Sequence, residues 1–202
     1  MAFQRSATVA GLVAILGNGT TASASPETVH KPQMVVAVLN DAAASRDVIA
    51  AAQARLIGVF EAIGVSVVWV DMYAGDRSVF VVRIVNEEGA ESLQVAPGSI
   101  GVALGAEDRH GWLGYVFYER IAHLAERNGV AVSAVLGAAI AHELGHLLLP
   151  HGCHSPRGLM SPDWNRADLL TADGRGLRFT VEQGALIRAA LGEPSREGGA
   201  SK

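Results

Sequence analysis

With a single cysteine, Cys153, among 202 residues, no disulfide can form within the chain, so stability has to come from packing and, where ligands exist, from metal. Charge is scarce too: 18% of residues are charged, they are scattered, and the net charge is −4. No basic run or stripe exists to hold a nucleic acid, which excludes that class of partner. There is no internal repeat, which excludes a repeat architecture. The apolar run nearest the N-terminus, Ala7 to Leu16, covers about half of the ~20 residues that a membrane-spanning helix requires. What remains is the composition of one folded domain: half of the residues are hydrophobic, and the length is enough to bury a core but tight for two domains.

The stretch MAFQRSATVAGLVAILGNGTTASAS places Arg5 before that apolar run and ends it in Ala22-Ser23-Ala24, an A-x-A pattern. It reads as a secretory signal peptide over residues 1–24, cut after Ala24. Cleavage removes Arg5 and no other charge, leaving −5, and places the protein outside the cytoplasm, secreted or periplasmic, without a membrane span. Residues 25–33 read as a polar leader, 34–191 as the folded domain and 192–202 as a flexible tail. Only about nine residues separate the cleavage site from the first strand, too few for a prosegment.

Within the domain, MVVAVLN (Met34 to Asn40) is a continuous apolar run of strand length. Val48, Ala52, Leu56, Val59, Phe60 and Ile63 then recur at helical spacing until Gly64. VSVVWVD (Val65 to Asp71) and VFVVRIV (Val79 to Val85) are β-branched strand candidates, the first parallel to the strand before it. Ser99 to Leu104 and Leu113 to Ile121 predict two more strands separated by a loop, GAEDRHG, and the second passes into a helix that Asn128-Gly129 ends. A long helix follows, VAVSAVLGAAIAHELGHLLL, stopped by Pro150. Thr180 and Gln183 form a capping box opening a C-terminal helix. The order predicts an α/β fold.

Four of the seven histidines lie between Ala141 and Met160. His142 and His146 are one helical turn apart in an H-E-x-x-H pattern, a spacing that offers two nitrogens to one zinc ion with Glu143 as base. The apolar stripe Leu136, Ile140, Leu144, Leu147 and Leu148 is expected to face the sheet, and the small Ala138, Ala141 and Gly145 to leave room around the site. Polar groups in so apolar a helix need a purpose, because burying them unpaired is costly. Both His151 and His154 are positioned to be a third ligand.

HELGHLLLPHGCHSPRGLM resembles the zinc segment of the metzincin metalloproteases, H-E-x-x-H-x-x-G-x-x-H followed by a methionine turn. More closely it resembles a set of secreted bacterial predicted zinc proteases carrying HELGHLLL, then H-S-P-x-G-I-M and a tryptophan, here ending at Met160 and Trp164 with Leu159 in the isoleucine position. The likeness extends through GYVFYERI and FTVEQ. It implies a metzincin or zincin-like mixed twisted β-sheet, an active-site helix carrying HExxH and a C-terminal helix. It further implies Zn²⁺ held by His142, His146 and His154, Glu143 as catalytic base, Met160 packed beneath the metal, and a peptide or protein as substrate. It also places a sheet-edge strand, Ser99 to Leu104, beside the cleft, where substrate would add as a strand and a proline at Val102 would remove a donor.

The metzincin glycine and third histidine positions are Leu149 and Gly152 here, so the chain must turn by another route. Pro150 ends the helix and Gly152 tolerates positive φ, which lets the backbone return His154 to the metal while His151, on the turn, points to solvent. Cys153 could ligate as thiolate but reads as an inert thiol. Trp164 reads as a core or wall residue, and His30, His110 and His123 as structural or surface groups, His110 being the one expected near the cleft. Tyr115, Tyr118, His110 and Arg157 are candidates for stabilising an oxyanion. Three ligands leave zinc an open position, the mark of a catalytic site, and peptide hydrolysis is the leading reaction. A zinc-stabilised secreted binding protein and an amidase acting on non-protein amides are the alternatives.

Overall fold

The computed structural model describes residues 31–70, 78–106, 109–150, 152–170 and 177–192. The signal-peptide reading, most of the leader, the tail from 193, His30 and His151 lie outside the described residues.

β1 (Gln33–Asn40) is followed by α1 (Arg46–Glu61), which Ser45 caps by accepting from the Val48 N–H at 3.3 Å. β2 (Ser66–Val70) and β3 (Val79–Val85) both run parallel to β1. A short α2 (Glu87–Ser92), capped by Asn86, was not legible in the sequence. β4 (Gly101–Ala106) and β5 (Arg109–Phe117) form an antiparallel pair, and β5 runs parallel to β3. The five strands make one mixed sheet in the order β2-β1-β3-β5-β4, with β4 at an edge.

Two expectations are corrected here. The loop foreseen over Gly105–Gly111 is largely strand, because Ala106 pairs with Arg109 across a bulge that shifts the register after Leu104. The strand foreseen to Ile121 ends at Phe117, and α3 (Tyr118–Asn128) begins directly, closing on Gly129 at φ +65°.

α4 (Val132–Leu148) carries the HExxH pattern and ends at Leu149, whose ψ of 156° is the extended geometry that Pro150 imposes on the residue before it. After a short α5 (Arg166–Leu170), α6 (Val181–Gly192) opens on the foreseen box: the Thr180 N–H donates to Gln183 Oε1 at 2.9 Å and the Gln183 N–H to Thr180 Oγ1 at 3.2 Å.

One sheet face, carrying Met34, Val36, Val82, Ile84 and Val116, forms the main core with α1 and α4. Gly137 brings the two helices together: a β-carbon there would stand 2.7 Å from Ala52 O. The other face holds a small cluster of Val85, Ala90 and Phe117 under α2. Leu136, Ile140, Leu144, Leu147 and Leu148 are all buried, as foreseen, so α4 is fixed against sheet and α1 and can present its remaining face with little freedom.

Candidate metal centre

His142 and His146, four residues apart on α4, meet edge to face, with ring centroids 4.7 Å apart and planes at 75°. His154 reaches them by the turn expected of it: Gly152 adopts φ +76° and its carbonyl accepts from the His154 N–H at 2.8 Å. The following loop is closed by the Ser155 N–H donating to Met160 O at 2.9 Å, and Gly158, at φ +83°, lies so near Arg178 O that a β-carbon would stand 2.8 Å from it. His146 Nε2 lies 3.0 Å from His142 Nε2 and 3.1 Å from His154 Nε2. Nitrogens about 2.0–2.1 Å from a tetrahedral zinc are about 3.3 Å apart, close to these two separations, and the three ligand nitrogens all lie within 4.8 Å of one another. These three residues could therefore hold a metal.

The second ring nitrogen of His142 supports the same donor set. Leu159 O can only accept, so His142 Nδ1–H donates to it at 2.7 Å and leaves Nε2 bare for a metal. The Trp164 indole N–H donates to the same carbonyl at 3.2 Å, and its ring meets His142 edge-on at 5.7 Å. Burial lowers the His142 pKa, the Leu159 hydrogen bond opposes that, and His154 adds to it; the net effect favours the neutral imidazole that a metal requires.

Glu143, next to His142 on the helix, lines the same cleft but is only 4% exposed, and burial pushes its carboxyl up to about 8. Two strand glycines clear its place. A β-carbon on Gly101 would stand 2.5 Å from Glu143 Oε1 and 2.8 Å from Tyr115 O, and one on Gly114 would stand 3.3 Å from Glu143 Cβ. This corrects the expectation that Ala138, Ala141 and Gly145 leave room. The alanines are in the core, and the space at Gly145 is filled by Met160, whose Sδ lies 2.6 Å from where a β-carbon would be. Glycine inside a strand marks close approach of another group, and that signal in Gly101 and Gly114 was present in the sequence but had no partner assigned to it.

A cleft of about 860 Å³ runs between β4 and these groups, with Trp164 in its wall. Val102, however, does not offer its N–H to the cleft. The Phe117 N–H donates to Ile100 O at 2.9 Å, so Ile100 and Phe117 are a hydrogen-bonded pair. Such pairs alternate along antiparallel strands. Val102, opposite Tyr115, therefore bonds to β5, and the backbone groups turned to the free edge are those of Gly101 and Ala103.

Among the described residues, Tyr115, Tyr118 and Arg157 do not line the cleft; Tyr115 lies under the Arg83 guanidinium on the opposite face. Cys153 packs against the core and is not in the histidine group. His123, read as a bystander, does line the cleft, together with Arg120 and Arg127 of α3.

No protein-family model matches the chain, and no curated protein matches it. Among solved structures it is similar to a zinc-dependent peptidase from Methanocorpusculum labreanum, with 13% identity and a TM-score of 0.48 over 75% of this chain and 99% of that one. That degree of likeness says nothing of this chain's chemistry.

Proposed function

We propose that the chain is a secreted zinc-dependent metallopeptidase of metzincin-like type. The observation that carries this reading is the meeting of three imidazole Nε2 atoms beside a buried carboxyl, in a cleft bordered by a strand edge. In this reading His142, His146 and His154 hold the ion, and zinc when bound polarises a carbonyl and lowers the pKa of water to about 7.

The rest of the work falls to the chain. Glu143 stays off the metal; its carboxylate, seated against Gly101, accepts a proton from the attacking water and delivers it to the leaving amine nitrogen. A cation held nearby favours the ionised carboxylate and opposes the upward push of burial. Leu159 O holds the His142 tautomer, and Met160 fills the space under Gly145. The edge groups of Gly101 and Ala103 bind the substrate main chain as an added strand.

Glu143→Gln keeps the side-chain shape and removes the base, so zinc should be retained while peptide hydrolysis falls by about 10²–10⁴-fold. A zinc-loaded wild type that cleaves nothing in a mixed peptide library, or a Glu143→Gln protein as active as wild type, overturns the reading. Export is read from residues 1–24, and mass spectrometry of the exported protein should find its N-terminus at Ser25.

A further inference from the structure

α3 sorts its charges by face. Arg120, His123, Leu124 and Arg127 fall at positions i, i+3, i+4 and i+7, one side of a helix, and all four line the cleft. The acidic residues of the same helix, Glu119 and Glu126, do not line it. The cationic face also has a defined place. α3 starts where β4 starts: the Phe117 N–H donates to Ile100 O, and Arg120 Nη1 donates to Ser99 O at 3.0 Å and Ala96 O at 3.1 Å. Arg120, at the start of the face, therefore borders the Ser99 end of the strand edge.

Arg120 is already engaged. Its guanidinium pairs with Glu87, with Nε 3.0 Å from each carboxylate oxygen, and its remaining bonds hold the chain entering β4. Arg127 is exposed and makes no ion pair with any described residue, and His123 is exposed beside it. A cation aimed into a substrate cleft without an internal partner is matched by an anionic ligand.

We infer that the substrate carries a carboxylate to one side of the scissile bond, bound by Arg127 with His123 as a second ring N–H donor, and that this contact sets the specificity of the cleft. It rests on the peptidase reading for the position of the scissile bond at Glu143. The carboxylate is either an acidic side chain or the end of a peptide, since both present the same group to a guanidinium.

The test uses zinc-loaded Glu143→Gln protein, which leaves peptides intact, and fluorescence anisotropy with labelled alanine-based peptides. One set carries a single Asp at successive positions with an amidated C-terminus, one peptide is all-alanine amide, one has a free C-terminal carboxylate, and one carries Lys in place of Asp. Peptides with Asp on one side of centre should bind about 1.5- to 5-fold tighter than the all-alanine amide, the range expected of an exposed pair, and lose the advantage in about 1 M salt. Arg127→Glu should abolish that preference and favour the Lys peptide, and His123→Ala should weaken it. A gain confined to the free-acid peptide identifies the ligand as a chain end.

Equal binding of Asp and alanine peptides, an acid preference that survives Arg127→Glu, or no binding by any peptide overturns the inference. Cleavage assays on wild type run in parallel separate the two readings. Hydrolysis without acid preference overturns the inference and leaves the peptidase standing. Acid-selective binding by a protein that cleaves nothing supports the carboxylate site at Arg127 and overturns the peptidase, and with it the site's placement beside a scissile bond.

Discussion

Gly101 shows how far a single missing β-carbon reaches. The position touches the carboxyl of Glu143 on one side and the carbonyl of Tyr115 on the other, so a methyl group must displace either the proposed base or the edge of the sheet. Moving a reacting group by about 1 Å can cost about 10²-fold. Gly101→Ala should therefore lower kcat/KM by about that factor with zinc bound at wild-type stoichiometry, as read by steady-state kinetics beside metal analysis. Gly58→Ala on α1, where nothing lies within 4 Å, is the matched control and should leave both unchanged. Unaltered kinetics in Gly101→Ala would show that Glu143 is not confined by the strand. The histidine pair and Glu143 were legible because their spacing is local to one helix; the partners that seat Glu143 were not, because Gly101 and Gly114 are about forty and thirty residues away along the chain.

At the scale of elements, β4 is both sheet edge and cleft wall, and the parity of its pairing decides which residues do which. The N–H of Val102 belongs to the ladder with β5, and that of Ala103 faces outward. Proline at an outward position of an edge strand removes no ladder bond. Ala103→Pro should thus stay folded by circular dichroism and raise KM by about 2- to 10-fold with kcat retained, the worth of one backbone hydrogen bond. Val102→Pro breaks the pairing instead and should lower thermal stability. A folded Ala103→Pro protein with wild-type KM would mean that substrate does not add to this edge. The strand itself could be read from Ser99 to Leu104, but its parity depends on where β5 pairs, which the bulge after Leu104 helps to set. α2 and α5, of 6 and 5 residues, are too short for helical periodicity to distinguish them from loop.

At the scale of the molecule, the described residues form one compact unit in which α4 is anchored by the core and His154 arrives on a loop. A metal that ties the loop to the helix binds the folded chain and not the unfolded one, so it stabilises by mass action. Free zinc at one hundred times Kd contributes about 2.7 kcal/mol, which for a protein of this size raises Tm by about 5–10 °C. Chelation should reverse the shift, His154→Ala should lose most of it together with bound zinc, and His151→Ala should keep both. Scanning calorimetry beside metal analysis would show a wrong third ligand as the opposite order of the two variants.

What the sequence by itself determined is what depends on neighbours along the chain. The HExxH spacing on a helix, the stop at Pro150, the turn at Gly152 and the Thr180–Gln183 cap all follow from steric and hydrogen-bonding rules acting within a few residues. The parallel relation of β1 and β2 follows from the helix between them. Tertiary structure alone decided that Leu159 O receives both His142 and Trp164, that Met160 occupies the space at Gly145, and that α3 turns His123 and Arg127 into the cleft. It likewise decided which backbone groups of β4 stay free, because strand register and helix rotation are set by packing between residues distant in sequence, and no local rule carries that information.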